Sequence, residues 1–236
     1  MQKNKMTLIG HFSELRRRLV WVVLFFLGAF CAGWFIAPVL QKILSAPLNS
    51  VWSGAMLYTG VADGLMINLS LSALFAIFLT VPFFLYQAWA FVAPGLKAAE
   101  RKFAAPILIL SPLLFLTGAA FAYFALLPIV FGFFVTMNMS APVATAFLPA
   151  VSNYMTFTIG MLKIFGIAFQ LPIILVGLNR IGILSRAHAV SMRRYIIVAI
   201  FIVAAVLTPP DVVSQIVLAL PLWALYEMSL LFMKKN

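Results

Sequence analysis

Residues 19–41 read LVWVVLFFLGAFCAGWFIAPVLQ, and this stretch between Arg18 and Lys42 contains no charged side chain. A helix of about 20 apolar residues crosses the roughly 30 Å hydrocarbon core of a bilayer, so the stretch is long enough to span a membrane. Three arginines precede it, as basic residues precede the apolar region of a secretory signal peptide. The stretch is too long for such a region, and no small-residue cleavage site follows it. We therefore interpret it as a first membrane span that the protein retains.

The composition of the whole chain also indicates an integral membrane protein. Its 236 residues are 65% hydrophobic and only 9% charged, and the mean hydropathy is +1.13. A soluble domain carries about 25% charged residues, so this chain has too little polar surface for a soluble enzyme or a disordered protein. The single cysteine, Cys31, excludes an internal disulfide and leaves the redox compartment open.

Uncharged runs separated by polar segments predict six membrane-spanning helices in all. We place these spans at about residues 19–38, 67–92, 106–135, 154–178, 194–208 and 212–232. The fifth span is short, because the uncharged run from Tyr195 to Leu207 is only about 20 Å long at 1.5 Å per residue. Several prolines lie in or near the spans and are expected to bend them. The sequence therefore predicts an all-α polytopic membrane protein, a single membrane domain over residues 1–236 with a curved, irregular bundle.

The basic residues indicate the orientation of the spans. All but two of the sixteen lysines and arginines fall in the N-terminal tail, the loops after spans 2 and 4, or the C-terminal tail. Basic residues are enriched in cytoplasmic segments, so both termini are predicted to be cytoplasmic. The formal net charge of +11 mainly reflects this membrane topology and does not indicate nucleic-acid binding. It also favours contact with anionic lipid headgroups.

Two of the five acidic residues, Glu14 and Glu100, lie among basic residues on the predicted cytoplasmic face. A carboxylate fits the planar fork of a guanidinium, so two such acids are suited to hold a pair of arginines. The simpler interpretation of Glu14 is a helical pair with Arg18, worth only a few tenths of a kcal/mol. Asp211 follows two prolines and is expected to cap the N-terminus of the sixth helix.

Lys163 is unusual because it lies inside the predicted fourth span. A charged group inside a span is costly, and by default it marks a functional site. Gln170 follows seven residues later and shares the face of Lys163 if the helix is continuous. The alternatives are a lysine that extends to the outer interface and ordinary hydrogen bonding between helices.

Motifs for enzymatic chemistry are missing from the sequence. It has no H-E-x-x-H, G-x-S-x-G, P-loop or G-x-G-x-x-G pattern, and its two histidines and one cysteine do not make a usual zinc site. We therefore expect no enzyme, metal or cofactor. An ion-coupled small-solute secondary transporter is the alternative function, but it needs ionisable groups near the membrane midplane, where only Lys163 lies.

Several segments resemble the TatC family, the multispanning subunits of twin-arginine protein translocases. Residues 11–19, HFSELRRRL, resemble the H-x-x-E-L-R-x-R-L signature of that family. Other similar segments are the first outer loop at 45–48 (SAPL), the first cytoplasmic loop at 86–101, the fourth span at 165–172 (FGIAFQLP) and the start of the sixth span at 207–215 (LTPPDVVSQ). The resemblance extends from about residue 7 to 232.

This resemblance implies a cup-like bundle in the bacterial cytoplasmic (inner) membrane, which binds twin-arginine signal peptides of folded proteins. Such a protein works with single-span TatA and TatB subunits, is expected to self-associate, and uses the proton-motive force. For signal binding the resemblance implies Glu14, Glu100, Arg16, Phe91 and Pro94. For docking of a partner helix it implies Thr208 and Gln215, to which we add Lys163 and Gln170. For the outer loops it implies Pro47, Pro209, Pro210 and Asp211.

One departure from the family concerns Gln170, where many members carry a glutamate. An ionisable group is thereby missing from the fourth span, while Lys163 is present nearby. A mechanism that requires a carboxylate in this span is therefore in doubt, although an amide can still hydrogen-bond to a polar partner.

Overall fold

The computed structural model describes residues 8–92, 98–140, 147–208 and 211–234. These residues are almost all helical, and the one β-bridge among them pairs Leu57 with Ala150. The helices are α1 (Leu8–Asn49), α2 (Asp63–Val92), α3 (Ala98–Phe121), α4 (Leu127–Met139), α5 (Val151–Ala168), α6 (Leu171–Arg180), α7 (Arg186–Ser191), α8 (Arg193–Leu207) and α9 (Val212–Phe232). The predicted all-α class is confirmed.

Five stretches of the described chain are long and apolar enough to cross a membrane. They are Phe12–Asn49, Asp63–Phe91, Leu110–Met139, Val151–Arg180 and Val212–Phe232. The predicted fifth span corresponds to α8, whose 15 residues extend about 22 Å and do not reach this length. The chain is therefore a multi-pass membrane protein, and α8 is shorter than each of these five apolar stretches.

Helix α1 is much longer than the predicted span at 19–38, because it continues through Pro38 and Pro47 to Asn49. The placement of Pro47 in an outer loop was wrong, since this proline lies in the last turn of α1. Proline has no N–H, so the carbonyl of Ile43 loses its usual helical donor. The hydroxyl of Tyr123 donates to that carbonyl instead, at 2.7 Å.

A second tyrosine supports the same end of α1. The hydroxyl of Tyr154, on α5, donates to the carbonyl of Leu44 at 2.5 Å. Two hydroxyls thus bond to neighbouring carbonyls of one helical turn, and each comes from a different part of the bundle. These bonds fix the C-terminal end of α1 against the rest of the protein.

The predicted spans at 106–135 and 154–178 are each interrupted. A π-helical turn, Ala122–Leu126, separates α3 from α4, and Pro128 follows it at the start of α4. Helix α5 ends at Ala168 because Pro172, four residues later, cannot donate to its carbonyl. Each interruption thus lies within a turn of a proline, as bends in membrane helices often do.

Close packing joins α3 to α5 at the centre of the bundle. A Cβ atom placed on Gly118 would lie 2.4 Å from the carbonyl oxygen of Phe165, and one on Gly166 would lie 2.7 Å from the ring of Phe115. Phe165 is fully buried between the two helices. Small residues at such crossings allow two helix backbones to approach closely, which favours packing within a bilayer.

Candidate functional site

The N-terminal part of α1 and the C-terminal end of α2 form a polar cluster around one ion pair. Glu14 accepts two hydrogen bonds from Arg18, at 3.0 Å from Nε and 2.5 Å from Nη2. The two side chains are only 15% and 22% exposed, so the pair is shielded from much of the solvent. The helical pair expected from the sequence is thus present. Its partial burial makes it stronger than the same pair on an open helix surface.

Arg18 also holds α1 against α2. Its Nη1 atom donates to the side-chain oxygen of Gln87 at 3.0 Å, and its Nη2 atom donates to the carbonyl of Ala90 at 3.2 Å. Helix α2 ends at Val92, so Ala90 lies among the last four carbonyls, which lack helical donors. A cation is favourable there because the C-terminus of a helix is partly negative.

The other residues predicted for signal binding are described to different extents. Arg16 is exposed on α1, and Phe91 is half-buried at the end of α2. Glu100 belongs to the first turn of α3, but its side chain lies outside what the structure describes, as does all of Pro94. Sequence reasoning missed Gln87 because an uncharged amide beside aromatic residues gives no signal of a contact with an arginine far away in the chain.

The hairpin of α8 and α9 contains Thr208 and Gln215, which the resemblance assigns to docking of a partner helix. Both side chains already have hydrogen-bond partners within the chain. The Thr208 hydroxyl donates to the carbonyl of Ala204 at 3.0 Å, and the Gln215 amide donates to the carbonyl of Phe201 at 3.1 Å. Each hydrogen bond ends on a carbonyl of α8. Thr208 is also buried, so its hydroxyl is not presented to the membrane.

Gln170 lies at the break between α5 and α6 and is bonded to α3. Its amide nitrogen donates to the carbonyl of Ser111 at 2.8 Å, and its side-chain oxygen accepts from the Ser111 hydroxyl. Lys163, which is half-buried on α5, takes no part in this contact. The shared face predicted for these two residues required one uninterrupted helix, and the helix ends between them.

The remaining predicted positions lie between α8 and α9. Asp211 caps α9, because its carboxylate accepts the backbone N–H of Ser214 at 2.7 Å. This cap confirms the simplest interpretation of Asp211. Pro209 and Pro210 lie outside the described residues.

Comparisons with known proteins agree on one family. The family model described as "Sec-independent protein translocase protein (TatC)" matches residues 10–221. The chain is 42% identical over 224 residues to a TatC protein of Halothiobacillus neapolitanus, covering 94% of this chain and 60% of that one. It is 38% identical over 229 residues to a TatC protein of Azotobacter chroococcum, covering 96% and 89% of the two chains.

A solved structure is similar over the same length. A crystal structure of the twin-arginine translocase receptor TatC superposes with a TM-score of 0.84 at 33% sequence identity. The superposition covers 94% of this chain and 97% of that one. Sequence and fold therefore point to the same relatives.

Proposed function

The chain belongs to the TatC family of Sec-independent protein translocase proteins, and from this premise we propose that it is the signal-receiving subunit of a twin-arginine translocase. It is a transport component and not a covalent catalyst. Glu14 and Glu100 bind the paired arginines of an export signal, in a site completed by Arg16, Phe91 and Pro94. The ion-coupled transporter considered from the sequence loses its support, because the family translocates proteins.

The proposed topology places this site in the cytoplasm. Six spans cross the bacterial cytoplasmic membrane, with α8 as the short fifth span, and both termini are cytoplasmic. The distribution of basic residues supports this orientation. Residues 1–236 act as one cup-like membrane domain, in which Glu14 and Glu100 lie at the inner end.

The observation that carries the proposal is the bonding of Arg18. A guanidinium already occupies Glu14 in the geometry that a signal arginine would adopt. Arg18 has two further acceptors, Gln87 and Ala90, which it keeps if Glu14 changes partner. An incoming arginine can therefore take Glu14 while the Arg18 guanidinium keeps two hydrogen-bond acceptors, and charge-assisted hydrogen bonds of this kind are strong.

Partner subunits complete the proposed machinery. Single-span TatA and TatB subunits dock near Thr208, Gln215, Lys163 and Gln170, and several copies of this chain associate in the complex. Folded proteins then cross the membrane at the expense of the proton-motive force. Pro47, Pro209, Pro210 and Asp211 shape the outer ends of the helices that these partners approach.

The test is crosslinking of a synthetic signal peptide to the full chain in membranes. We expect Glu14→Gln and Glu100→Gln each to abolish the preference for an Arg-Arg signal over its Lys-Lys counterpart, while the protein still inserts. Glu227→Gln is the matched control, because Glu227 also pairs with an arginine, Arg193, at 2.7 Å. Normal crosslinking by the Glu14→Gln, Glu100→Gln double variant would contradict the proposed site.

A further inference from the structure

Four basic residues lie near the C-terminal end of α9. They are Arg186 at the start of α7, Arg193 and Arg194 at the start of α8, and Lys234, two residues after α9. Arg186 is half-buried, and the other three are exposed. We call these four residues the α9 basic cluster. Three separate segments of the chain thus contribute cations to one end of the bundle.

Contacts with α9 hold two of these arginines side by side. The Nη2 atom of Arg193 donates to Oε2 of Glu227 at 2.7 Å, and the Nε atom of Arg186 donates to the carbonyl of Leu230 at 3.0 Å. Glu227 and Leu230 are three residues apart on one helix, so they are neighbours on its surface. The two guanidinium groups therefore bind α9 at adjacent positions, about one helical turn apart.

A small apolar core keeps the α9 basic cluster in place. Ala189 of α7 and Tyr226 of α9 are both buried in this core. The Tyr226 hydroxyl donates to the Ala189 carbonyl at 2.5 Å, which joins the two helices. The backbone N–H of Lys234 donates to the side chain of Asn179, in the last turn of α6, at 2.8 Å. The backbone positions that carry the four cations are therefore fixed relative to one another.

The positive charge of the cluster exceeds the negative charge around it. Among the described residues, one salt bridge reaches the cluster, and it joins Glu227 to Arg193. The guanidinium of Arg194 lies over the ring of Tyr195, 4.8 Å from its centroid, and Arg186 bonds to a carbonyl. The end of α9 contributes only about half of a negative charge. More than two positive charges thus remain for an anion.

The cluster lies at the level of the lipid headgroups. Two apolar stretches long enough to cross the membrane end beside it, at Arg180 and Phe232. Exposed apolar side chains flank it, since Ile183 is 72% exposed, Tyr195 55% and Phe232 64%. Aromatic and basic side chains together are typical of a membrane interface. The anion available in this layer is the phosphate of a lipid, whose acyl chains can cover the apolar side chains.

We propose that the α9 basic cluster binds the headgroup of an anionic phospholipid. The guanidinium groups donate to the phosphate oxygens, because their planar fork fits a phosphate well. Basic pockets at the cytoplasmic ends of membrane helices bind anionic headgroups in this way. Glu227 competes with the phosphate for Arg193, so this acid limits the affinity of the site. In the proposed topology the lipid belongs to the cytoplasmic leaflet.

The test is native mass spectrometry of the purified full chain in neutral detergent. Phosphatidylglycerol and phosphatidylethanolamine with different chain lengths are added at equal concentration, so that their masses distinguish them, and the lengths are then exchanged. We expect phosphatidylglycerol to be retained about fivefold or more over phosphatidylethanolamine, whose ammonium group the cluster repels. Free glycerol 3-phosphate and a polyglutamate peptide are added in separate experiments as competitors.

Substitutions within the cluster should change the affinity in opposite directions. Arg194→Gln, which leaves the Arg193–Glu227 pair intact, should weaken phosphatidylglycerol binding about fivefold, and Arg193→Gln with Arg194→Gln up to about thirtyfold. Glu227→Gln should strengthen it about twofold to fivefold, because Arg193 is released. The matched control is Lys42→Gln with Lys163→Gln, which removes two charges elsewhere and should leave binding unchanged.

Several results would overturn the proposed lipid site. Equal retention of the two lipids would show that the cluster does not select an anionic headgroup. Equal losses in the two double variants would show that diffuse charge, and not a site, attracts the lipid. Displacement by glycerol 3-phosphate as effective as by the lipid itself would assign the cluster to a soluble phosphate. Tighter binding of polyglutamate than of phosphatidylglycerol would assign it to an acidic protein segment.

Discussion

Substitutions of Gln87 test directly whether a signal arginine replaces Arg18 as the hydrogen-bond partner of Glu14. The amide oxygen of Gln87 accepts from Arg18 at 3.0 Å and is one of the acceptors that Arg18 keeps after exchange. Gln87→Leu removes this acceptor and makes Arg18 more dependent on Glu14, so the signal should bind more weakly. Gln87→Glu gives Arg18 a stronger alternative partner, which releases Glu14, so the signal should bind more tightly.

The magnitude follows from the hydrogen bonds of Arg18. A hydrogen bond to a charged group contributes about 1.5–3 kcal/mol, and the partial exposure of both side chains reduces this to about 1–2 kcal/mol. The dissociation constant of the signal peptide should therefore rise roughly fivefold to thirtyfold in Gln87→Leu. It should fall in Gln87→Glu, by a factor of similar size or less.

The assay is equilibrium binding of a fluorescent Arg-Arg signal peptide to the purified full chain in detergent, repeated with the Lys-Lys peptide. The double variant Gln87→Glu, Glu14→Gln tests whether the new carboxylate binds the signal by itself. If the double variant keeps the tighter binding, the new acid acts directly and exchange is not needed. If Gln87→Leu and Gln87→Glu change the affinity in the same direction, the exchange reasoning is refuted.

Two further predictions concern the stability of the bundle, measured as thermal unfolding of the purified protein in detergent. Tyr123→Phe should lower the free energy of unfolding by about 1–3 kcal/mol, because Pro47 cannot donate to the Ile43 carbonyl and no other donor would replace the tyrosine hydroxyl. Tyr58→Phe, in the exposed loop between α1 and α2, should have little effect. Gly118→Ala should cost about 1–3 kcal/mol, because its Cβ would lie 2.4 Å from the Phe165 carbonyl, whereas Gly28→Ala, with no atom within 4 Å, should be neutral or stabilising. Equal stability of Tyr123→Phe and Tyr58→Phe, or of the two glycine variants, would contradict these assignments.

The positions of charges predict much of this fold. A charged side chain inside hydrocarbon is costly, so the long uncharged runs locate the apolar helices with little reference to tertiary contacts. The short α8 follows from the same argument, since Arg193 and Arg194 on one side and the Thr208 region on the other limit its apolar length. The cap at Asp211 is equally local, because it depends on residues only three positions apart.

The ends and interruptions of the helices are less predictable, since they depend on partners distant in the sequence. Pro47 suggests a loop when the sequence is considered alone, yet Tyr123, 80 positions away from Ile43, satisfies the carbonyl that this proline leaves free. Thr208 and Gln215 suggest polar groups in need of a partner chain, yet carbonyls of α8 accept both. In each case the deciding contact is a hydrogen bond to a backbone carbonyl, which leaves no pattern in the sequence.

The same distinction explains why the candidate signal site was only partly predictable. The acid at position 14 and its pairing with Arg18 follow from helical spacing, which also makes the pair look like an ordinary surface contact. The contacts of Arg18 with α2 change that interpretation, because they let one guanidinium leave the carboxylate while its N–H groups keep hydrogen-bond acceptors. When a signal arginine replaces Arg18 on Glu14, one arginine–carboxylate pair is lost and a similar pair forms. The net free energy of this exchange is therefore small. A receptor that must later release its cargo benefits from such a balance.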